Sequence, residues 1–258
     1  MMNFSVPCEN NEKLKEIVER IRNDVEINTL WKASNIIAID RLGFNDHGPV
    51  HVKIVANLAL RMLRILVGKG ITPNIVKDYK MSNDDAEVVV VLASALHDIG
   101  HAIHRTEHED NSLVLAVPII DRLTEGIYRD EEKTIIKAET LHAIFSHRAG
   151  IIPLTIEGGV VKIADALDME EGRARIPFQM GEVNIHSVSA LAIKEVSVLE
   201  GEKKPLKIKI KMRNSAGIFQ VDELLKNKLE TSGIKDLVEV EAEVVGEQEE
   251  KIVGKVEF

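Results

Sequence analysis

The sequence predicts a mainly α-helical domain over residues 1–183, followed by a small α+β domain of order β-β-α-β-β over residues 184–258. Two observations carry this. Up to about residue 175 apolar residues recur at the spacing of one helix face; near Pro177 the pattern changes to period-2 alternation, broken by a single helical stretch. No internal repeat or low-complexity linker interrupts either part. With 258 residues, 45% apolar and 29% charged, the chain is long enough for a sizeable core.

The elements follow in order. Residues 11–27 place Leu14, Ile17, Val18, Ile21 and Val25 on one stripe. After the turn GFNDHGP (43–49), residues 50–67 place Val55, Leu58, Ala59, Met62, Leu63 and Leu66 on a second, which Gly68 and Gly70 stop. Ser82 and Asp85 have the spacing of a capping box, opening a helix whose apolar run VVVVLASAL (88–96) leads into His97 and Asp98. Helices are also expected at 109–125, 131–147 and 158–171. Beyond residue 186, LAIKEVSVLE, PLKIKIKMR, VEVEAEVV and EKIVGKVEF alternate as strands do, with Gln220 to Leu229 helical among them.

Composition excludes several classes of function. A net charge of -9 argues against broad nonspecific binding of nucleic acid. The single Cys8 allows no intramolecular disulfide, which fits a reducing compartment. The opening MMNFSVPCENNEKL lacks the apolar stretch of a signal peptide, and the longest apolar run is far short of the ~20 residues that span a bilayer. The expectation is a cytoplasmic protein with no membrane partner.

The chemistry concentrates in ALHDIGHAIHRTEHE (95–109). Four of the nine histidines (His97, His101, His104 and His108) fall there, beside Asp98 and at the end of an apolar helix. A His–Asp pair emerging from a core must pair, neutralise itself or bind a cation, because an unpaired buried charge is costly. His51 shares a helix face with Val55, Leu58 and Met62, and Asp165 shares one with Val161 and Asp168. Two histidines and two carboxylates from three helices form a mixed nitrogen and oxygen set suited to a divalent transition metal or magnesium.

This H…HD…D order, with HDIGH after an apolar helix and ADALD downstream, resembles the HD-domain metal-dependent phosphohydrolases over roughly residues 35–175. The resemblance implies a helical HD-type fold and hydrolysis of phosphoesters, often nucleotides. It makes His51, His97, Asp98 and Asp165 the ligands of a divalent ion (Mn, Fe, Ni, Co, Zn or Mg). Such an ion lowers the pKa of a water and offsets charge at phosphorus, and Asp98 can bridge to a second ion ~3.5–4 Å away. Candidates for that second ion are His108, His147 and His142. LHAIFSHRAG resembles the I-x-H-H stretch of the two-metal branch, with Ser146 where the first histidine would stand. On a straight helix His142 and His147 point about 140° apart, so both cannot serve one ion; His147, near Gly150, is preferred. In the triphosphohydrolase branch the resemblance gives His101 a catalytic or substrate-contacting place, suited to protonating the leaving oxygen. His104 reads as a partly exposed histidine near the cleft mouth, and His47 as lying at its rim.

A phosphate also needs cations. Arg148, Arg173 and Arg175 follow ligand-bearing helices and Lys162 lies one turn before Asp165, so these four are the phosphate-binding candidates. In the tail, Lys207, Lys209, Lys211 and Arg213 alternate with Leu206, Ile208, Ile210 and Met212. No aromatics interleave them, and Glu239, Glu241 and Glu243 offer matching partners. The two strands should therefore lie side by side with charged faces outward, their apolar faces covering the 220–229 helix or a partner subunit, and no nucleic acid bound. The C-terminal domain reads as structural, an interface of a homo-oligomer or a lid. The leading function is metal-dependent hydrolysis of a small phosphoester, most of all a nucleotide. The alternative is a nucleotide-sensing protein that keeps the fold and metal site without efficient turnover.

Overall fold

The computed structural model describes residues 4–170, 189, 191–245 and 255–257, the last three by backbone alone. Helix α1 (Glu12–Asn23) buries Leu14, Ile17, Val18 and Ile21 as its stripe requires. It ends one turn sooner than the pattern suggests. Asp24 turns extended, its side chain accepts the amide of Ile27, and a new helix α2 (Val25–Asn35) starts, leaving Val25 80% exposed and not in the core. The chain then passes through a wider helical turn (Ile36–Arg41) to α3 (Pro49–Gly68) and a short α4 (Asn74–Tyr79).

Helix α5 (Asn83–Leu96) is the axis of the domain. Its N-terminus carries the capping box that Ser82 and Asp85 announce, and α1, α3, α7 and α8 pack around it. Residues 88–93 are all fully buried, which is why the segment is apolar on every side. Each core leucine of this kind is worth about 2–5 kcal/mol against alanine. Helices α6 (His108–Thr124), α7 (Asp130–Ser146) and α8 (Ile156–Leu167) complete the bundle.

The C-terminal part has the expected order. Strands β1 (Ile193–Glu200), β2 (Leu206–Met212), β3 (Val238–Val244) and β4 (Lys255–Glu257) form one sheet in sequence order, with β1–β2 and β3–β4 antiparallel and β2–β3 parallel. Between β2 and β3 runs α9, whose first turns (Gln220–Lys226) are π-helical and whose last (Asn227–Glu230) is α-helical. Lys207, Lys209 and Lys211 stand directly opposite Glu239, Glu241 and Glu243. β1 and β2 pack on α3 and α9 packs on α8, while the buried Val221, Leu225 and Leu229 of α9 share one apolar cluster with Ile208, Ile210, Val240 and Val244 of the strands. The expected domain boundary at 183/184 lies outside the described residues. Among the described residues no helix is long and apolar enough to cross a membrane.

Candidate metal centre

Five segments deliver side chains to one buried point. His51 rides on the first turn of α3, where Asp46 accepts the amides of Gly48 (2.9 Å) and His51 (3.3 Å) and fixes the helix start. His97 and Asp98 terminate α5. This end is held by α2: the Trp31 indole donates to the Ala95 carbonyl (2.8 Å) and the Ser34 hydroxyl to that of Asp98 (3.3 Å). Next comes Gly100, which is glycine for want of space. A Cβ there would run into the His108 carbonyl and stand 2.5 Å from the Ser112 amide. The chain therefore folds back after a single 3-10 turn (Ile99–Ala102), and α6 begins at His108, on top of Asp98. His108 does not follow along a continuing helix; the reversal at Gly100 brings it home. The Ser112 hydroxyl clinches the reversal, donating to the His97 carbonyl (2.6 Å) and accepting the Gly100 amide (2.8 Å). His147 caps the C-terminus of α7, and α8 supplies Asp165 and, just past its end, Asp168.

The four residues read as ligands of one ion converge. The His51 Nε2 lies 3.2 Å from the His97 Nε2, 3.2 Å from the Asp98 Oδ2 and 3.3 Å from the Asp165 Oδ1. The His97 Nε2 lies 3.4 Å from the Asp98 Oδ2 and 3.8 Å from the Asp165 Oδ1. The other oxygen of Asp98 faces a second group: Oδ1 is 3.4 Å from the His108 Nε2 and 3.8 Å from the His147 Nε2, which are themselves 3.4 Å apart. Asp98 thus turns one oxygen to each pair of imidazoles.

The outer nitrogens decide what the inner ones are. The Nδ1 of His97 faces the Ser94 carbonyl (2.9 Å), that of His108 the Arg105 carbonyl (3.0 Å), that of His147 the Ile144 carbonyl, and that of His51 the Asp168 carboxylate (2.6 Å). Carbonyl and carboxylate oxygens only accept, so each Nδ1 carries a proton and each Nε2 of a neutral ring presents a lone pair. Lone pairs at hydrogen-bonding distance from other lone pairs and from carboxylates need a proton or a cation between them. Without an ion, protonation provides it. Burial opposes charge on His97, yet Asp98 and Asp165 override it and raise its pKa to about 9. Burial likewise opposes the charge on Asp98 and Asp165, but His97 and His47 hold the first, and Lys228 and His51 the second, well below the usual carboxylate range. Burial and the charge on His97 push His147 well down, so it remains a bare donor. The donor set, with its converging Nε2 and carboxylate oxygen atoms, fits a divalent ion.

Other expected site residues fare differently. His142 is not in the second group: its Nε2 accepts the Leu154 amide (3.0 Å), where α7 meets the following loop. Ser146, at the position of the missing histidine, is fully buried beside Gly158, whose added Cβ would stand 3.1 Å from its hydroxyl. Arg148 is engaged by Glu109 (3.3 Å) and Asp110 of α6, and so is not a free phosphate cation. Lys162 is buried too, donating to the carbonyls of Arg148 (2.8 Å) and Ile151; burial, with Lys228 nearby, lowers its pKa to about 8. Arg173 and Arg175 lie outside the described residues. His101 is fully buried beside Asp98 (3.7 Å), stacked between the rings of His47 (4.4 Å) and His108 (4.1 Å). Burial lowers its pKa to about 3, so the ring is neutral at neutral pH and carries one N–H. His104 is exposed, as expected.

Three residues of the site escaped the sequence reading. His47 is more than a rim residue: its Nδ1 bonds the Asp98 Oδ2 at 2.8 Å. Asp168 buttresses His51; its signal was the i,i+3 spacing in ADALD. Lys228, from α9, binds the Asp165 Oδ2, and no local signal marked it.

Residues 46–170, which contain every ligand-type residue of both groups, match the HD domain family. Over 234 residues the chain is 46% identical to an uncharacterized protein of Methanocaldococcus jannaschii, MJ1020, an alignment that takes in 91% of this chain and 90% of that one. With a helical bundle delivering H…HD…D to one buried point, the chain belongs to the HD domain family, within the superfamily of metal-dependent phosphohydrolases.

Proposed function

We propose that the chain hydrolyses a phosphoester, a nucleotide or another small phosphate ester, at a centre for two divalent ions. His51, His97, Asp98 and Asp165 would hold one ion, and Asp98, His108 and His147 the other. The observation that carries this reading is the division of Asp98, one oxygen toward each pair of Nε2 lone pairs. Divalent ions so held supply charge against a phosphate oxygen and lower the pKa of a water. The chain's own part is positional. Asp168 and three backbone carbonyls set the tautomer and tilt of four imidazoles, so the donor atoms need no reorganisation. His101, neutral and stacked between two rings 3.7 Å from Asp98, offers a single N–H, the place of the substrate-contacting histidine that the resemblance implies. The pairing of the tail lysines with glutamates supports the expectation that nucleic acid is not a partner.

The test is phosphate release from a panel of nucleotides and small phosphate esters, using protein loaded with manganese and the same protein after a chelator. Turnover that the chelator removes and manganese restores is expected. Metal uptake and nucleotide binding without any turnover would overturn the enzyme reading and leave a sensor.

A further inference from the structure

The proposed substrate phosphate needs a cation from the chain, and those legible in the sequence and described here are engaged elsewhere: Arg148 by two carboxylates, Lys162 by two carbonyls. Lys228 is placed differently. It comes from outside the HD bundle, on the last turn of α9, and its ammonium meets the Asp165 Oδ2. The Asp165 Oδ1 faces the His51 Nε2 instead. The carboxylate therefore has an inner oxygen for an ion and an outer one for Lys228. The side chain of Lys228 is 22% exposed, so it is not sealed within the protein.

The placement is firm. Helix α9 packs on α8, and the turn after it seats so closely that a Cβ on Gly159 would lie 2.8 Å from the Ser232 carbonyl and 2.9 Å from the Ile234 side chain. The glycine at 159 is what lets the C-terminal segment approach the helix that bears Asp165. Charge then points to the ligand. Two divalent ions bring four positive charges; Asp98, Asp165 and Asp168 bring three negative ones, and Lys228 adds another positive charge. Glu109, 3.4 Å from the His108 Nδ1, and Asp110 add two negative charges and Arg148, paired with both, one positive, so the loaded site stays cationic by about one charge, and an anion is the partner that neutralises it.

We infer that Lys228 is a phosphate-contacting residue, lent to the centre by the C-terminal unit: anchored on the outer oxygen of Asp165, it donates to a non-bridging phosphate oxygen of the substrate. This rests on the phosphoesterase reading above. A lysine that only clamped Asp165 would act on metal retention and not on phosphate.

The two roles separate when binding is measured apart from turnover. Full-length wild type, Lys228→Met and Lys228→Arg are loaded with manganese, metal content is measured by mass spectrometry, and inorganic phosphate is titrated calorimetrically. Lys228→Met is expected to keep its manganese within twofold and to bind phosphate about 10-fold or more weakly, the size of a lost charge-assisted hydrogen bond. Lys228→Arg should recover binding to within about threefold. If Lys228→Met does not fold, Lys228→Gln, which keeps a hydrogen bond to Asp165 without the charge, should show the same loss. Unchanged phosphate binding, or loss of manganese with phosphate affinity per loaded site intact, overturns the assignment. A loaded wild type that binds no phosphate overturns the phosphoesterase reading itself and this inference with it.

Discussion

The metal centre and the lysine–glutamate strands are both arrays of ionisable side chains, built on opposite logic. On the sheet, donors meet acceptors: Lys207 reaches Glu241 (2.8 Å), Lys209 reaches Glu243 (3.0 Å) and Lys211 reaches Glu195 (2.8 Å), all at a partly exposed face. In the centre, acceptors meet acceptors in the core: imidazole lone pairs face one another at 3.2 and 3.4 Å around a shared carboxylate. The first array is complete in itself. The second is complete only with something positive inside it. A regular spacing of charged residues therefore says little about function until burial and sign are known; like-with-like in a dry place is the mark of a ligand.

The comparison is broken most readily at Asp98. Asp98→Ala removes the carboxylate common to both imidazole pairs and should lower turnover by on the order of 10³-fold, equivalent to several kcal/mol of charge stabilisation, while the melt stays cooperative. Retained ions and activity would make the centre a self-sufficient network like the sheet. Asp168→Ala comes next. It leaves every proposed ligand in place but frees the outer nitrogen of His51, and a drop of roughly 10–100-fold in manganese affinity is expected from equilibrium dialysis.

A pH titration sharpens the contrast at smaller amplitude. His97 is raised from 6.5 to about 9 by Asp98 and Asp165 acting against burial. A raised histidine stabilises the fold fully below its unfolded pKa and loses that contribution as pH climbs through the folded one. The Tm of the ion-free protein should therefore fall between pH 6.5 and 9, and manganese affinity should rise over the same window with up to one proton released. A pH-independent affinity would mean that His97 holds no proton for the ion to displace. The smallest effect belongs to the sheet. Lys209→Ala should cost less than about 1 kcal/mol in chemical denaturation and leave turnover within twofold. A larger loss would show that these pairs are not the self-contained surface array described.

What the sequence made legible follows the same division. His51 and Asp165 could be read because each sits on an apolar helix face, and His97 and Asp98 because they end an apolar helix; both are local properties. Phase said that His142 and His147 could not both serve one ion and the stop at Gly150 favoured His147; the structure ends α7 at Ser146, so that His147 caps the helix and turns inward. The fates of Arg148 and Lys162 were illegible because a cation is claimed by tertiary neighbours, here two carboxylates of α6 and two loop carbonyls. Helix α2 was missed because only Ile27, Trp31 and Ser34 of it are buried, too narrow a stripe to stand out. The two alternating strands announced both their faces and their partnership, but not that they run parallel, since alternation carries no direction.

That direction has its own consequence. Antiparallel neighbours can be joined by a tight turn. Parallel neighbours oblige the chain to leave the sheet at one end and travel the length of the strand before entering again beside Leu206. The return trip crosses α8, and Lys228 is met on the way. The route between two strands is thus also the arm that reaches the centre.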